Sequence, residues 1–174
     1  MATTTTNSAK TYTQIAWTQL GSATSSITMS SIPSTYTDLR VVLTTTYSGA
    51  TNTYAFTRFN GDTATNYSYR TLYGYNGSPW SENYQNTTSF SAKSTGDNTY
   101  PQIYTYDILQ YASTSYYKTT LYSQSSDYNS TTGIVGNFVS LWRSTAAINS
   151  ISFTTQTGNF SAGTTVAIYG ITAA

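Results

Sequence analysis

The segment Leu39-Arg40-Val41-Val42-Leu43 has the most regular pattern in this chain of 174 residues. Leu39, Val41 and Leu43 alternate with other residues, which is the period-two spacing of a β-strand that buries one face. Val42 adds an apolar side chain to the opposite face, as expected when neighbouring strands lie on both sides. We therefore expect a central β-strand with Leu39, Val41 and Leu43 turned towards the core.

The same alternation continues on both sides of this segment. Ile15 and Trp17 share one face of a first predicted strand, and Ile27 and Met29 alternate in a second that stops at Pro33. Later segments with the composition of strands cover residues 54–59, 67–73, 103–110, 116–123, 134–142, 147–154 and 166–171.

About ten short strands, separated by Gly, Asn and Ser clusters and without a convincing helix, predict an all-β fold. The expected architecture is an antiparallel β-sandwich that is jelly-roll-like in strand number and length. Asn60-Gly61 favours positive φ and predicts a hairpin or a short loop. Residues 1–8 read as a flexible N-terminal arm, and residues 9–174 as a single β-sandwich domain with a long excursion at about 76–99.

The composition excludes several classes of site. The chain has 0 Cys and 0 His, so it can form neither a disulfide nor a zinc site of the usual kind. Only 7% of the residues are charged and the net charge is +1, without a basic stripe that would bind nucleic acid. No apolar run is long enough for a membrane span. We expect no cofactor, no nucleic acid partner and no membrane partner.

Catalytic residues are hard to find in this sequence. Acid–base catalysis commonly uses His or a pair of carboxylates, and the chain has six Asp and Glu residues in all. Asp107 is the carboxylate placed well inside a predicted strand, where an ion pair, for example with Lys118, is a simpler explanation than an active-site acid. We therefore predict that the protein is not an enzyme and has no catalytic residues.

Two oxygen-rich turns could in principle hold Ca²⁺. They contain Asp62, which follows Asn60-Gly61, and Asp97-Asn98. Neither has the ligand density of a calcium loop, and hydrogen bonds from the turn backbone to the Asp side chain explain both. We predict no metal site.

Aromatic residues form the clearest candidate contact surface. Tyr73, Tyr75, Trp80 and Tyr84 cluster around the expected excursion, beside several amide side chains. Exposed Tyr and Trp are typical of protein interfaces and of glycan platforms, while packing of Trp80 beneath its own loop is the structural alternative. Trp17 and Trp142 follow strand alternation and are predicted to belong to the core.

Several motifs along the chain combine turn residues with aromatic or aliphatic positions. They are Ser31-Ile32-Pro33-Ser34-Thr35-Tyr36-Thr37-Asp38-Leu39, Phe59-Asn60-Gly61-Asp62, Tyr117-Lys118-Thr119-Thr120, Leu141-Trp142-Arg143-Ser144-Thr145-Ala146-Ala147-Ile148-Asn149-Ser150-Ile151 and Gly158-Asn159-Phe160-Ser161-Ala162-Gly163. Through these motifs the chain resembles a family of short structural proteins of tailed bacteriophages. The resemblance implies a β-sandwich on the outside of a virion, commonly a trimer, and it carries no known chemistry.

The leading hypothesis is a capsid decoration or cement protein that binds junctions between major capsid proteins. The alternative is a receptor-binding module at a tail or fibre tip that recognises host surface glycans. Both place the protein in the virion, assembled in the infected bacterial cytoplasm, as a homo-oligomer with a trimer favoured. Contacts are expected in the N-terminal arm and the excursion more than in the sheets. The start of the chain lacks the hydrophobic core of a signal peptide, so we expect no export unless a leader was removed.

Overall fold

The computed structural model describes residues 11–49, 52–93, 98–129 and 133–172. Within these ranges the chain forms fourteen strands and no helix. The strands are β1 (Tyr12–Gln19), β2 (Ser26–Met29), β3 (Asp38–Thr45), β4 (Tyr47–Ser48), β5 (Ala55–Phe59), β6 (Tyr67–Tyr75), β7 (Ser78–Thr87), β8 (Phe90–Ser91), β9 (Gln102–Ile108), β10 (Lys118–Asp127), β11 (Gly133–Trp142), β12 (Ile151–Thr155), β13 (Asn159–Phe160) and β14 (Thr165–Ile171). None of the described residues belongs to a helix that could cross a membrane.

The described strands form three antiparallel sheets. The large sheet has the order β1-β14-β3-β9-β10-β11-β6-β7, the small sheet has the order β2-β12-β5-β8, and β13 pairs with β4. The prediction of an all-β antiparallel β-sandwich is confirmed. The strand number is fourteen in the described ranges rather than about ten, because β4, β8 and β13 contain only two residues each and β7 lies within the segment that was expected to be an excursion.

The core lies between the small sheet and one face of the large sheet, which we call the inner face. Leu39, Val41 and Leu43 are fully buried in β3, which lies between β14 and β9, so the predicted central strand and its orientation are confirmed. Phe153 of the small sheet packs on Tyr106 of the large one, with 5.7 Å between ring centroids. Aromatic contacts of this kind bury large apolar areas and account for much of the attraction between the sheets.

One end of the core, between the sheets, contains a network of buried polar side chains. The hydroxyls of Tyr47 and Tyr104 lie 3.0 Å apart, and Tyr104 donates to Oε1 of Gln102 over 2.6 Å. Gln102 in turn donates to the hydroxyl of Tyr128 over 3.0 Å. Because each hydroxyl finds a partner, tyrosine can fill positions where an unpaired polar group would be costly.

The assignment of Trp17 to the core was wrong. A β-bulge between Gln14 and Ala16 inserts Ile15 as an extra residue, so the side chains that follow change faces. Ile15 and Ala16 pack against the core, whereas Trp17 points away from it with 54% of its surface exposed. Trp142 is buried, as predicted.

The expected excursion at 76–99 begins instead as a regular hairpin. Asn76 and Gly77 have φ values of 50° and 75°, the positive values of a tight two-residue hairpin turn, and they connect β6 to the edge strand β7. Asn60-Gly61 also has positive φ at both residues, but it connects β5 of the small sheet to β6 of the large sheet and is thus a short loop. The predicted arm at residues 1–8 lies outside the described residues.

Candidate interaction surfaces

The β6–β7 hairpin brings the four aromatic residues Tyr73, Tyr75, Trp80 and Tyr84 to one face. Tyr73 lies directly opposite Trp80 in the ladder, and Tyr84 lies opposite Tyr69. Tyr73 is buried, with its ring stacked at 6.5 Å from that of Phe138, and Tyr84 stacks on Tyr69 at 4.5 Å. Trp80 is 52% exposed, so it is the member of the group that offers most surface to a partner.

A cleft of about 180 Å³ lies beside these rings, at the edge where the small sheet ends. Glu82 accepts hydrogen bonds there from Nζ of Lys93 over 2.8 Å and from the hydroxyl of Tyr84 over 3.1 Å. Burial alone would raise the pKa of the Glu82 carboxyl, but these two donors lower it below its usual value. The cleft therefore holds a carboxylate that is ionised and already paired.

Asp107 forms an ion pair, but with a different partner from the one suggested by the sequence. Its two carboxylate oxygens accept from Nε and Nη2 of Arg40 over 2.7 and 2.8 Å, in the bidentate geometry that suits a guanidinium. Arg40 lies directly opposite Asp107 in the β3–β9 ladder, on the outer face of the large sheet.

Lys118, the suggested partner, points to the inner face and is fully buried. Its ammonium group donates to the backbone carbonyls of Ser113, Tyr116 and Thr145 over 2.6, 2.8 and 3.3 Å. Burial lowers the pKa of Lys118, because desolvation disfavours the charged form. The side chain joins two loops and does not reach Asp107.

The turn that contains Asp62 is closed by hydrogen bonds from three donors. Oδ1 accepts from the backbone N–H of Ala64 over 2.8 Å, and Oδ2 accepts from Asn66 over 2.9 Å and from the indole of Trp142 over 2.7 Å. These hydrogen bonds account for the position of the Asp62 carboxylate as part of a turn, which is the interpretation favoured by the sequence. No group of three or more metal-ligating acids was found among the described residues.

The outer face of the large sheet carries most of the exposed aliphatic side chains. We call four of them the outer strip: Leu72, Ile103, Leu121 and Val135, which are 64%, 44%, 50% and 66% exposed. Ser125 lies between Ile103 and Val135 in the same row of the ladder, so the strip crosses neighbouring strands. Each member follows or precedes a buried residue of the same strand. Apolar residues on both faces of these strands are the sequence signal that could have revealed the strip.

The strip lies in surroundings with little charge. Arg40 and Asp107 neutralise each other within the outer face, and the remaining positions of the row around Leu72 are Trp17, Ala167, Val42, Thr105, Ser123, Asn137 and Ser81. Arg70 lies in the row of Leu121, two strands away, and belongs to neither of the ion pairs in the described part of the chain. A sheet face with so few charges can pack against another protein with little desolvation of unpaired charge. The expectation that contacts lie in the excursion more than in the sheets does not account for this surface.

In comparisons with known proteins, no family model, curated protein or solved structure matches the chain.

Proposed function

We propose that the protein is a non-enzymatic structural protein of a bacteriophage virion, where it binds and stabilises junctions between capsid proteins as a decoration or cement protein. The observation that carries the proposal is the outer strip, a group of exposed aliphatic side chains on the outer face of the eight-stranded sheet. The resemblance of the motifs to structural proteins of tailed bacteriophages supports a location in the virion.

The state of the acidic side chains supports a binding role rather than catalysis. All five described carboxylates accept hydrogen bonds, and those of Asp107 and Glu82 are also paired with a cation. A catalytic carboxylate needs access to a reacting group and a pKa suited to proton transfer. Side chains already engaged in turns and ion pairs fit a structural role better.

The mechanism we propose is burial of the outer strip against capsid protein. Removal of each aliphatic side chain from water contributes free energy in proportion to its apolar area, about 25 cal/mol per Å². A trimer would present three such faces, and repetition over a symmetric shell would convert modest contacts into tight attachment.

The proposal is tested by imaging virions that carry a labelled copy of the protein. Label on the capsid shell supports a decoration protein, whereas particles without label overturn any role in the virion. Leu121→Asp should release the protein from particles because it places a charge in the strip. Thr28→Asp is the matched control, since Thr28 is exposed on the opposite side of the sandwich. Equal retention of the two variants would contradict the role of the strip.

A second candidate function is a receptor-binding module that recognises host glycans at a tail or fibre tip. The observation that favours it is the exposure of Trp80 on the edge strand, next to the cleft that holds Glu82 and Lys93. Aromatic faces stack on sugar rings and polar neighbours fix their orientation. A glycan array should show binding by the wild type and its loss in Trp80→Ala, and label at the tail in the imaging experiment would favour this function.

A further inference from the structure

A second groove lies on the outer face of the large sheet, at the end of the strands away from the Asn76-Gly77 turn. It has a volume of about 420 Å³, within the range of small-molecule sites. The side chains that line it combine two guanidinium groups, neutral hydrogen-bonding groups and an aliphatic floor. The principal ones are Arg70, Asn83, Gln85, Thr119, Leu141 and Arg143.

An irregularity in the edge strand shapes this groove. The β6–β7 register shifts between Tyr67 and Tyr69, and Asn86 adopts a positive φ of 54° on the opposite strand. A bulge of this kind bends the edge strand and changes the direction of its side chains. Tyr67 pairs with Thr87, but beyond the shift Arg70 pairs with Asn83, so the edge strand carries an extra residue beside the groove.

Arg143 is held in place without being neutralised. Its Nη2 donates to Oδ1 of Asn86 over 2.8 Å and to the backbone carbonyl of Thr65. Both acceptors are uncharged, so they orient the guanidinium but leave its positive charge uncompensated. A guanidinium fixed in this way loses little conformational freedom when it binds an anion.

Arg70 adds a second positive charge from the neighbouring strand. In the described part of the chain, the ion pairs are Arg40 with Asp107 and Lys93 with Glu82, and neither involves Arg70 or Arg143. Glu82 is adjacent to Asn83 in sequence but lies opposite Thr71, on the other face of β7. The positive charge of the two arginines in the groove therefore favours a ligand with an acidic group.

We propose that the groove binds an acidic saccharide, a sugar ring that carries a carboxylate. Guanidinium groups bind carboxylates through paired hydrogen bonds. Asn83, Gln85 and Thr119 offer neutral donors and acceptors for hydroxyl groups, and Val139 with Leu141 gives the apolar face of the ring a surface on which to lie. An acidic peptide would use the arginines, but it would have less use for this number of neutral polar side chains.

This inference does not rest on the proposed virion role, nor on the glycan surface at Trp80. Trp80 lies opposite Tyr73 and belongs to the inner side of the hairpin, whereas Asn83 lies opposite Arg70 on the outer side. A ligand in the groove and a ligand at Trp80 would therefore contact opposite faces of β7, and substitutions can separate the two.

The test is an NMR titration of the full chain with methyl β-glucuronide, and with methyl β-glucoside as the neutral counterpart. We expect saturable shifts at amides of the groove for the glucuronide and none for the glucoside. Arg70→Gln should weaken binding about tenfold or more, as loss of a charge-assisted hydrogen bond implies. Arg58→Gln is the charge-matched control, because Arg58 binds the carbonyl of Thr88 and lies in the small sheet.

Three results would overturn the proposal. Equal shifts with the glucoside would show that the carboxylate is not recognised, and equal affinities of Arg70→Gln and Arg58→Gln would remove the role of the groove. Tighter binding of an acetylated Asp-Glu dipeptide than of the glucuronide would assign the groove to a protein partner instead. Circular dichroism of Arg70→Gln should match that of the wild type and so control for loss of the fold, since this side chain is exposed on the sheet surface.

Discussion

The indole N–H of Trp142 donates a hydrogen bond to Oδ2 of Asp62 over 2.7 Å. Trp142 ends β11 in the large sheet, and Asp62 lies in the loop that leads from the small sheet into β6. The bond therefore fixes the crossing between the two sheets. Because Trp142 is buried, its N–H has no water to replace the carboxylate if that acceptor is removed.

Asp62→Ala should consequently destabilise the protein by about 1–3 kcal/mol, the cost of leaving a buried donor unsatisfied. Chemical unfolding followed by Trp fluorescence measures the change. Asp127→Ala is the control, since Asp127 is exposed and accepts from the backbone of Asn129 within its own turn. Similar losses in the two variants would mean that the bond to Trp142 contributes little.

The carboxylate of Asp62 should also make the stability of the protein depend on pH in the acid range. Burial would raise the pKa of Asp62, but hydrogen bonds from Asn66, Trp142 and Ala64 together lower it below its usual value. A pKa that is lower in the folded state stabilises the protein above the unfolded value of about 3.9, and this contribution is lost as the pH falls through the folded pKa. We expect Asp62→Asn to flatten the fall in unfolding free energy below about pH 4. A slope equal to that of the wild type would contradict this assignment.

The core assignments can be tested by truncation. Leu43 and Phe153 are fully buried on opposite sheets, so Leu43→Ala and Phe153→Ala should each cost about 2–5 kcal/mol of unfolding free energy. Leu72→Ala is the matched control, because Leu72 is 64% exposed and its truncation should change stability by less than about 0.5 kcal/mol. Losses below that value for Leu43 would contradict the packing of β3.

Alternation in the sequence predicted the inner face of β3 because no irregularity interrupts that strand. It failed for Trp17, since a single inserted residue at Ile15 reverses the faces and leaves no mark in the pattern. The β6–β7 hairpin was missed for another reason. Asn76-Gly77 was a valid turn signal, but β7 is a largely exposed edge strand whose polar residues do not alternate.

The partners of the charged residues could not be predicted from the sequence either. Arg40 meets Asp107 because β3 lies beside β9, and pairing between strands so distant in the chain depends on the order of the whole sheet. The outer strip had a signal, since Leu121 and Val135 adjoin buried Tyr122 and Ile134 in their strands. Apolar residues on both faces of a strand indicated either a central strand or an exposed contact surface, and three-dimensional packing was needed to choose.

The ion pair between Arg40 and Asp107 should contribute modestly to stability. Their side chains are 38% and 32% exposed, so water and salt screen the attraction. A double-mutant cycle with Arg40→Met and Asp107→Asn should give an interaction energy below about 1 kcal/mol that decreases as salt is added. A coupling of several kcal/mol, independent of salt, would show that the pair behaves as a buried one.

The buried tyrosines predict loss of stability in alkali. Burial raises the pKa values of Tyr47, Tyr104, Tyr106 and Tyr122 above the ordinary value of 10.0. A pKa that is higher in the folded state gives stability that is complete below the unfolded pKa and is lost as the pH rises above about 10, at about 1.4 kcal/mol per pH unit for each linked group. Unfolding free energies measured against pH should therefore fall steeply, and Tyr106→Phe should reduce the slope by about one proton. Tyr116→Phe is the control, because Tyr116 is 64% exposed and its hydroxyl lies outside the core. Equal slopes for the two variants, or tyrosinate absorbance from all 18 tyrosines while the fold persists, would contradict the burial of these hydroxyls.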